Sequence, residues 1–395
     1  MGGFVVTLHD EPSPLNGFEL ENIHEKLDVL AHRGPDDSGF YFDTYIQMGY
    51  RRLRIKDEYT DFQPLNFGNG RYWIVFNGKI YNYKELRADL QDEELPFKAE
   101  SEQEVLLALY IKMKEKMLQK IRGMYAFLIW DREERTLFGA RDPFGMKPLY
   151  YLVEDEKVCF SSEPKGILGL EKDRKMDLQA LNHYFSFQFV PEPRTLVENL
   201  HKLLPGHYFL KKPGKPMQIA KFWQATFHTI LQTEDEWVQQ IREVLSYSVQ
   251  HHVESNQPMG AFLSGGIDST LILSLAKRFH SDIKTFSVGF FEDGYSELSV
   301  AALTAKQLGV EHIAISVSPE EFIEALPKIV WYMDDPLADP SIVPLYFLAR
   351  EARKHVRVVL SGEGADELFG GYPIYREPHS LRMFKYMPSM LIKLL

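Results

Sequence analysis

Several residue types and patterns are scarce in the 395-residue chain, and each scarcity excludes a class of protein. The single cysteine, Cys159, excludes an intrachain disulfide framework and a cysteine-rich zinc site, and it fits a reducing compartment. No apolar run approaches the roughly 18 residues that a membrane-spanning helix needs. The 45 basic residues are outnumbered by 56 acidic ones, and a net charge of −11 argues against a nucleic-acid-binding surface. We therefore expect a cytoplasmic globular protein that binds neither nucleic acid nor membrane.

The composition, with 45% hydrophobic and 13% aromatic residues, is sufficient for large buried cores in two or three domains. In the first half, apolar runs at residues 4–8, 125–130 and 136–140 predict strands, and helical spacing follows Ser101. Residues 71–76 predict a further strand, which we expect the Asn77-Gly78 turn signal to close. The first half is therefore predicted to be an α+β domain of stacked antiparallel sheets.

The hydrophobic periodicity changes after a stretch rich in Pro, Gly and Lys, residues 211–216, which is the candidate linker. Beyond it, predicted strands alternate with helical patterns; the strands cover residues 259–263, 284–290, 312–317 and 356–360. Alternating βαβ units imply an α/β domain with a doubly wound parallel sheet, which binds ligands beyond the carboxyl ends of its strands. We predict domains of residues 1–212 and 213–395.

A glycine- and serine-rich loop lies between the first strand of this second domain and the helix that follows. It reads Ser264-Gly265-Gly266-Ile267-Asp268-Ser269-Thr270. The glycines let the backbone approach an anion, and a helix start offers free N–H groups at a positive dipole end. Serine hydroxyls add donors, and Asp268 can hold a divalent cation that bridges phosphates. The loop therefore predicts polyphosphate binding, although the chain has no Walker A string.

A second loop of small and acidic residues follows the last predicted strand. It reads Ser361-Gly362-Glu363-Gly364-Ala365-Asp366-Glu367. Two such loops at the carboxyl ends of strands suit a nucleotide with Mg²⁺ and an acid–base group. A solvated acidic turn is the alternative interpretation of these carboxylates.

These two loops, with four motifs of the first half, resemble the glutamine-dependent asparagine synthetases over essentially the whole chain. The four motifs are His32-Arg33-Gly34-Pro35-Asp36, Arg52-Leu53-Arg54-Ile55, Asn77-Gly78-Lys79-Ile80-Tyr81-Asn82 and Arg141-Asp142-Pro143-Phe144-Gly145-Met146-Lys147-Pro148-Leu149-Tyr150. The resemblance implies an Ntn-hydrolase-like αββα sandwich that hydrolyses glutamine to ammonia. It also implies a PP-loop domain that uses ATP and Mg²⁺ to adenylate the side-chain carboxylate of aspartate, so that ammonia can displace AMP and give asparagine.

The resemblance also assigns roles to individual positions of this chain. Residues expected to bind ATP are Leu263, Ser264, Gly265, Gly266, Asp268, Ser269, Val288, Ser361 and Gly362. Asp268 and Asp366 would bind Mg²⁺, and Glu363 would be the base for the attacking ammonia. Residues expected at the glutamine site are Arg52, Leu53, Arg54, Ile55, Lys56, Asn77, Gly78, Lys79 and Glu102. Asn77 and the N–H of Gly78 would be the oxyanion donors.

The chain departs from the family in its glutaminase half. Gly2 stands where the family has its nucleophilic cysteine, so no thioester can form there, and Cys159 in its strand-like run is better explained as a buried small hydrophobe. Lys79 replaces a carboxylate next to the expected α-ammonium of glutamine, where like charges about 4 Å apart would repel by roughly 1–4 kcal/mol. Glu102 replaces an aspartate. We therefore expect an inactive glutaminase and ammonia as the nitrogen donor.

Two alternatives to an ammonia-using synthetase remain open at this point. The chain could be a non-catalytic or degenerate relative that only binds ATP or an amino acid. It could also be an amidoligase or β-lactam-forming synthetase that acts on another carboxylate, because the loops specify adenylation more firmly than they specify aspartate. Family chains continue well past the second acidic loop, so the second domain is expected to be incomplete. A homodimer is left open.

Overall fold

The computed structural model describes residues 2–13, 17–55, 62–90, 97–169, 174–253, 257–290 and 297–376. The chain packs as two compact units, Met1–Thr233 with Ala325–Ile342 and Glu234–Glu324 with Val343–Leu395. Within the described ranges, no helix has both the length and the apolar character that crossing a bilayer requires. The domain limits proposed from the sequence, 1–212 and 213–395, stay predictions.

The first 221 residues contain most of the strands and only short helices. In chain order the elements are β1 (Gly2–His9), α1 (Gly17–Asp28), β2 (Asp37–Phe42), β3 (Ile46–Arg52), β4 (Leu65–Phe67), β5 (Tyr72–Ile80), α2 (Tyr83–Ala88), α3 (Glu102–Met113), a 3-10 helix (Lys114–Gln119), β6 (Gly123–Asp131), β7 (Thr136–Arg141), β8 (Tyr150–Val153), β9 (Lys157–Ser161), α4 (Pro164–Leu168), α5 (Leu178–Phe187), β10 (Leu200–Lys202), β11 (His207–Lys211) and β12 (Gln218–Lys221).

These strands form two antiparallel six-stranded sheets with a shared core, as predicted. One sheet has the order β10-β8-β9-β1-β3-β2 and the other β12-β11-β7-β6-β5-β4. Apolar side chains of both sheets meet in one cluster, which includes Phe4 of β1 and Trp130 of β6. Helix α3 packs its apolar side chains against the second sheet, and Leu27 of α1 packs on Val5 of the first. The αββα sandwich implied by the resemblance is therefore confirmed.

The predicted turn at Asn77-Gly78 is wrong, because β5 continues through both residues to Ile80. Asn77 and Gly78 pair with Ala126 and Tyr125 of the neighbouring strand. A Cβ atom built on Gly78 would overlap the carbonyl oxygen of Met124, so glycine serves here for close backbone approach and not for a turn.

The stretch of residues 211–216 is not a linker between domains. It connects β11 to β12, which pair with each other as a hairpin at the edge of the second sheet. The side chain of Lys211 is buried, and its ammonium group binds Asp10 and the carbonyl oxygen of Lys215. Its Pro and Gly content therefore reflects a hairpin connection, which local composition cannot distinguish from a linker.

The remainder of the described chain is an α/β region. Its elements are α6 (Glu234–Val253), β13 (Met259–Phe262), α7 (Ile267–Lys277), β14 (Lys284–Phe290), α8 (Leu298–Leu308), β15 (Glu311–Val317), α9 (Pro319–Met333), α10 (Ile342–Ala352), β16 (Val358–Leu360), α11 (Ala365–Phe369) and a second 3-10 helix (Pro373–Arg376). The four strands are parallel in the order β15-β14-β13-β16. The predicted parallel sheet is therefore confirmed, and its strands β13 and β16 are neighbours.

Candidate functional site

Position 2 lies at the start of β1, a strand in the interior of the first sheet. The amide nitrogen of Gly2 is 3.3 Å from Oδ1 of Asn77, to which it donates a hydrogen bond. Arg33 Nε donates to the carbonyl oxygen of Gly2 across 3.1 Å. A Cβ atom built on Gly2 would overlap the carbonyl oxygen of Arg51. A side chain at this position, where the resemblance places the nucleophile of the family, would therefore require the start of β1 to shift.

The buried Asn77 side chain uses only part of its hydrogen-bonding capacity. Its oxygen accepts from Gly2, and its Nδ2 has no hydrogen-bond partner within the described parts of the chain. An amide donor that is buried without a partner costs roughly 1–3 kcal/mol. A bound carbonyl or carboxylate oxygen would satisfy it, so Asn77 fits the oxyanion-donor role that the sequence proposed.

Lys79 and Glu102, the other two departures from the family, form an ion pair. Lys79 Nζ lies 2.7 Å from Oε1 of Glu102, and the backbone N–H of Ile80 donates to Oε2 across 2.7 Å. The two side chains are 25% and 14% exposed, so water screens the pair only partly. The cation at position 79 therefore has its counter-charge within the protein, on the carboxylate expected to hold the α-ammonium of glutamine.

The remaining residues expected at the glutamine site lie at the end of β3. Arg52 is buried, with Nη1 3.6 Å from Oδ2 of Asp37, and Arg54 Nη2 binds the same oxygen at 2.8 Å. The guanidinium of Arg52 also lies 5.1 Å from the ring centroid of Phe62. Leu53 and Ile55 follow the strand as partly buried residues. Lys56 falls outside the described residues.

The predicted phosphate loop, Ser264–Thr270, begins just after β13, and its last four residues form the first turn of α7. Ser264 Oγ is 2.9 Å from Ser269 Oγ and accepts from the backbone N–H of Gly266 at 3.1 Å. Gly266 is the residue immediately before α7, and Asp268 lies in the first turn of that helix. The two serine side chains thus hold a compact turn whose last residue precedes the positive end of a helix, an arrangement suited to an anion.

The second loop lies directly against the first. A Cβ atom built on Gly362 would lie 3.0 Å from both Cβ of Asp268 and the backbone nitrogen of Ser269. This approach follows from topology, because β13 and β16 are parallel neighbours and both loops lie at their carboxyl ends. The structure therefore brings the two predicted loops together, and Glu363 and Asp366 lie on exposed or half-exposed positions of the second.

The other residues expected near the nucleotide, Leu263 and Val288, lie at the same edge of the sheet. Leu263 donates its N–H to the carbonyl oxygen of Phe286 at 2.9 Å, and its own carbonyl oxygen accepts from the hydroxyl of Ser287. Val288 is the next residue of β14. The described residues contain no group of three or more metal-ligating side chains. Mg²⁺ bound with a nucleotide uses one or two carboxylates besides phosphate and water, so Asp268 and Asp366 fit this role chemically.

Sequence reasoning missed Glu297, whose carboxylate reaches the phosphate loop. Its Oε2 accepts a hydrogen bond from the N–H of Gly265 at 3.0 Å. Val300, in the first turn of α8, supplies the apolar side chain next to Gly265. The sequence offered one signal for this residue, because Glu297 is an acidic residue immediately before α8, the helix that follows β14. It was weak, because acidic residues commonly begin helices for dipole reasons alone.

Comparison with known families accounts for both halves of the chain. Residues 1–223 match the glutamine amidotransferase domain, and residues 240–394 match asparagine synthase. Glutamine-hydrolysing asparagine synthetase 1 of Bacillus subtilis is 49% identical over 100% of this chain. A relative from Methanocaldococcus jannaschii, provisionally named as an asparagine synthetase, is 31% identical over 94% of this chain and 76% of its own length.

The chain belongs to the asparagine synthetase family. It spans 62% of the length of the Bacillus subtilis asparagine synthetase. The chain is also similar to a protein named amidase chry2 from Gibberella zeae, with 30% identity over 93% of this chain and 58% of that protein's length. The resemblance proposed from the motifs is thereby confirmed.

Proposed function

We propose that this asparagine synthetase relative is a cytoplasmic ligase that amidates the side-chain carboxylate of aspartate, with ATP as co-substrate and ammonia as nitrogen donor. The observation that carries the proposal is the close approach of Gly362 to Asp268 and Ser269, which joins the two polar loops in one site. A carboxylate is a poor electrophile, and an acyl-adenylate gives it a good leaving group. Aspartate would attack the α-phosphorus of ATP and release pyrophosphate, and ammonia would then attack the acyl carbon and release AMP.

The residues of the two loops divide the work of this reaction. The hydroxyls of Ser264 and Ser269 and the start of α7 would bind the pyrophosphate portion of the nucleotide. Asp268 and Asp366 would hold Mg²⁺, which neutralises charge on the phosphates when bound. Glu363 would accept a proton from the attacking ammonia, and its exposed position leaves its carboxylate accessible to substrates.

We further propose that the first unit does not hydrolyse glutamine. Gly2 offers no nucleophile, and the overlap of its Cβ position with Arg51 leaves no room for one. The pairing of Lys79 with Glu102 supports the same conclusion, because the carboxylate expected to bind an amino acid's α-ammonium already has a cationic partner.

The test is release of pyrophosphate from ATP and Mg²⁺ in the presence of aspartate. We expect release that increases with ammonium chloride and is unchanged by glutamine. Replacement of the proposed base by Glu363→Gln should reduce asparagine formation, whereas the exposed Ser281→Ala change should have no effect. Absence of AMP and pyrophosphate at millimolar ammonia would contradict the proposal, and nucleotide binding without turnover would indicate a binding protein.

Amidation of a different carboxylate is the second candidate. The observation that favours it is the similarity to a relative whose name is amidase chry2. The proposed site supplies adenylation and ammonia attack for any carboxylate that fits beside the nucleotide. A panel of carboxylic acids in the same pyrophosphate assay separates the two candidate functions. A larger kcat/KM for another acid than for aspartate would identify that acid as the preferred substrate.

A further inference from the structure

We propose that Lys165 and Lys202 are positioning residues that hold residues 325–342, here named the strap, against the rest of the first unit. The first unit would thus support the ligase reaction although it has no nucleophile at position 2. This inference rests on the proposed ligase function. In sequence the strap lies within the asparagine synthase match, and its residues pack with the first unit. The strap is part of the connection between β15 and β16, which also includes the first residues of α9 and helix α10, and the Ser361–Glu363 loop follows β16 directly.

The first anchor of the strap is Asp334. Lys165 Nζ lies 2.8 Å from Asp334 Oδ2 and 2.8 Å from Glu163 Oε2, and both lysine and aspartate side chains are nearly buried. The same ammonium group lies 4.5 Å from the ring centroid of Trp331, one turn earlier in the strap. The backbone at Asp334 has a positive φ of 60°, a conformation that a non-glycine residue adopts only when its surroundings support it.

The second anchor is the adjacent carboxylate, Asp335. Lys202 Nζ lies 2.7 Å from its Oδ2, and the hydroxyl of Tyr150 donates to the same oxygen across 2.6 Å. Further along the strap, the N–H of Ala338 donates to the carbonyl oxygen of Gln188 at 2.8 Å. Three parts of the first unit, in α4, in β8 with β10 and just after α5, therefore contact four residues of the strap, Trp331, Asp334, Asp335 and Ala338.

A chain of polar contacts links Lys165 through Glu163 and Arg33 to the start of β1. Arg33 Nη1 binds Glu163 Oε1 at 2.8 Å, and Arg33 Nε binds the carbonyl oxygen of Gly2 at 3.1 Å. His32 Nε2 lies 2.9 Å from Glu163 Oε2. The cations Arg33 and Lys165 balance the anions Glu163 and Asp334. Removal of one lysine would leave a nearly buried carboxylate without its counter-charge. We therefore expect the lysines, and not the apolar contacts, to determine how firmly the strap is held.

The experiment measures amide hydrogen exchange in the unaltered full chain and in a double variant that carries Lys165→Met and Lys202→Met. We expect exchange in residues 334–342 to become about tenfold faster or more, with unchanged exchange in α3 and β6. The matched control is Lys157→Met, whose more exposed ammonium pairs with Glu154, and it should leave the strap unchanged. Lys165→Arg with Lys202→Arg should restore most of the protection, because it restores the charges.

A kinetic measurement distinguishes positioning from general stability. In aspartate-dependent pyrophosphate release, the double Met variant should raise KM for aspartate about tenfold with little change in kcat. Unchanged strap protection would overturn the proposal, and so would increased exchange with an unchanged KM. If the unaltered chain releases no pyrophosphate, the proposed function fails, and hydrogen exchange alone then decides whether the lysines hold the strap.

Discussion

The ammonium nitrogen of Lys79 lies 2.7 Å from a carboxylate oxygen of Glu102, across 23 positions of sequence. Considered alone, Lys79 introduces a repulsive charge into the expected glutamine site, and Glu102 lengthens an acidic side chain. Paired, they neutralise each other, and the longer carboxylate also caps the N–H of Ile80 at the end of β5. The two departures from the family are therefore one structural change, in which a lysine of the protein pairs with the carboxylate expected to bind the α-ammonium of glutamine.

Replacement of Lys79 by Met should destabilise the first unit. Glu102 would keep its hydrogen bond from Ile80 and lose its cation, at a cost of roughly 1–3 kcal/mol in the free energy of unfolding. Urea unfolding monitored by tryptophan fluorescence measures this change. Lys79→Arg is the charge-preserving control, and Lys284→Met removes the comparable but more exposed pair with Glu311. Equal stability of the Lys79→Met and Lys284→Met variants would show that the pair has no structural role.

Reintroduction of a thiol by Gly2→Cys should not create a glutaminase. The new Cβ would overlap the Arg51 carbonyl oxygen, so the start of β1 must shift, with an expected loss of about 1–3 kcal/mol of stability. Ammonia release from glutamine should stay at background in this variant and in Gly2→Cys with Lys79→Glu. Ser281→Cys, which places a thiol on an exposed residue, controls for unspecific thiol effects. Glutamine-dependent ammonia release by the single variant would refute this explanation.

The carboxyl of Glu163 should make stability depend on acid pH. Burial raises its pKa, but hydrogen bonds from His32, Lys165 and Arg33 and the charge of Arg33 outweigh burial and lower the pKa to about 2. Because the folded pKa lies below the ordinary value, the stabilisation is complete above about pH 4.5 and disappears as the pH falls toward 2, about 3 kcal/mol in total. The difference between the unfolding free energies at pH 6 and pH 3 should be smaller in Glu163→Gln than in the unaltered chain. The exposed Glu311→Gln change should leave the difference intact.

Cys159 should be unreactive in the folded protein. Its side chain is buried in β9 beside Thr7, and burial raises the pKa of its thiol, so little thiolate forms at neutral pH. As the chain has one cysteine, a disulfide-exchange reagent reports on this position alone. Labelling should be slow in buffer and complete within mixing time in denaturant. Rapid labelling of the native chain would contradict the buried-hydrophobe interpretation and the strand pairing of β9 with β1.

The close approach of the Ser264–Thr270 and Ser361–Glu367 loops should make Gly362 intolerant of a side chain. In Gly362→Ala, the new methyl group would lie 3.0 Å from Asp268 and Ser269 and would force the loops apart. We expect MgATP affinity, measured by calorimetry, to fall about tenfold or more, corresponding to the usual cost of overpacking. Ser281→Ala, outside both loops, should bind as the unaltered chain does. Unchanged affinity would show that these loops do not share the nucleotide.

Much of the architecture could be predicted from local patterns. Apolar runs on both sides of a polar stretch located the β6–β7 hairpin, βαβ periodicity located the parallel sheet, and the Ser264–Thr270 loop was found at the junction of its strand and helix. These predictions succeeded because propensity and periodicity act between residues a few positions apart. The Asn77-Gly78 turn failed for the complementary reason, since pairing with Ala126 and Tyr125 overrode a strong local signal.

The absence of a side-chain nucleophile at Gly2 is evident without coordinates, because glycine has no side chain in any fold. The pairings of Lys79 with Glu102, Gly362 with Asp268 and Lys165 with Asp334 depended on the folded chain. They join residues 23, 94 and 169 positions apart, and no local rule relates partners at such separations. The residue types at these positions were visible in the amino-acid order, but only strand order and packing decided which of them are neighbours.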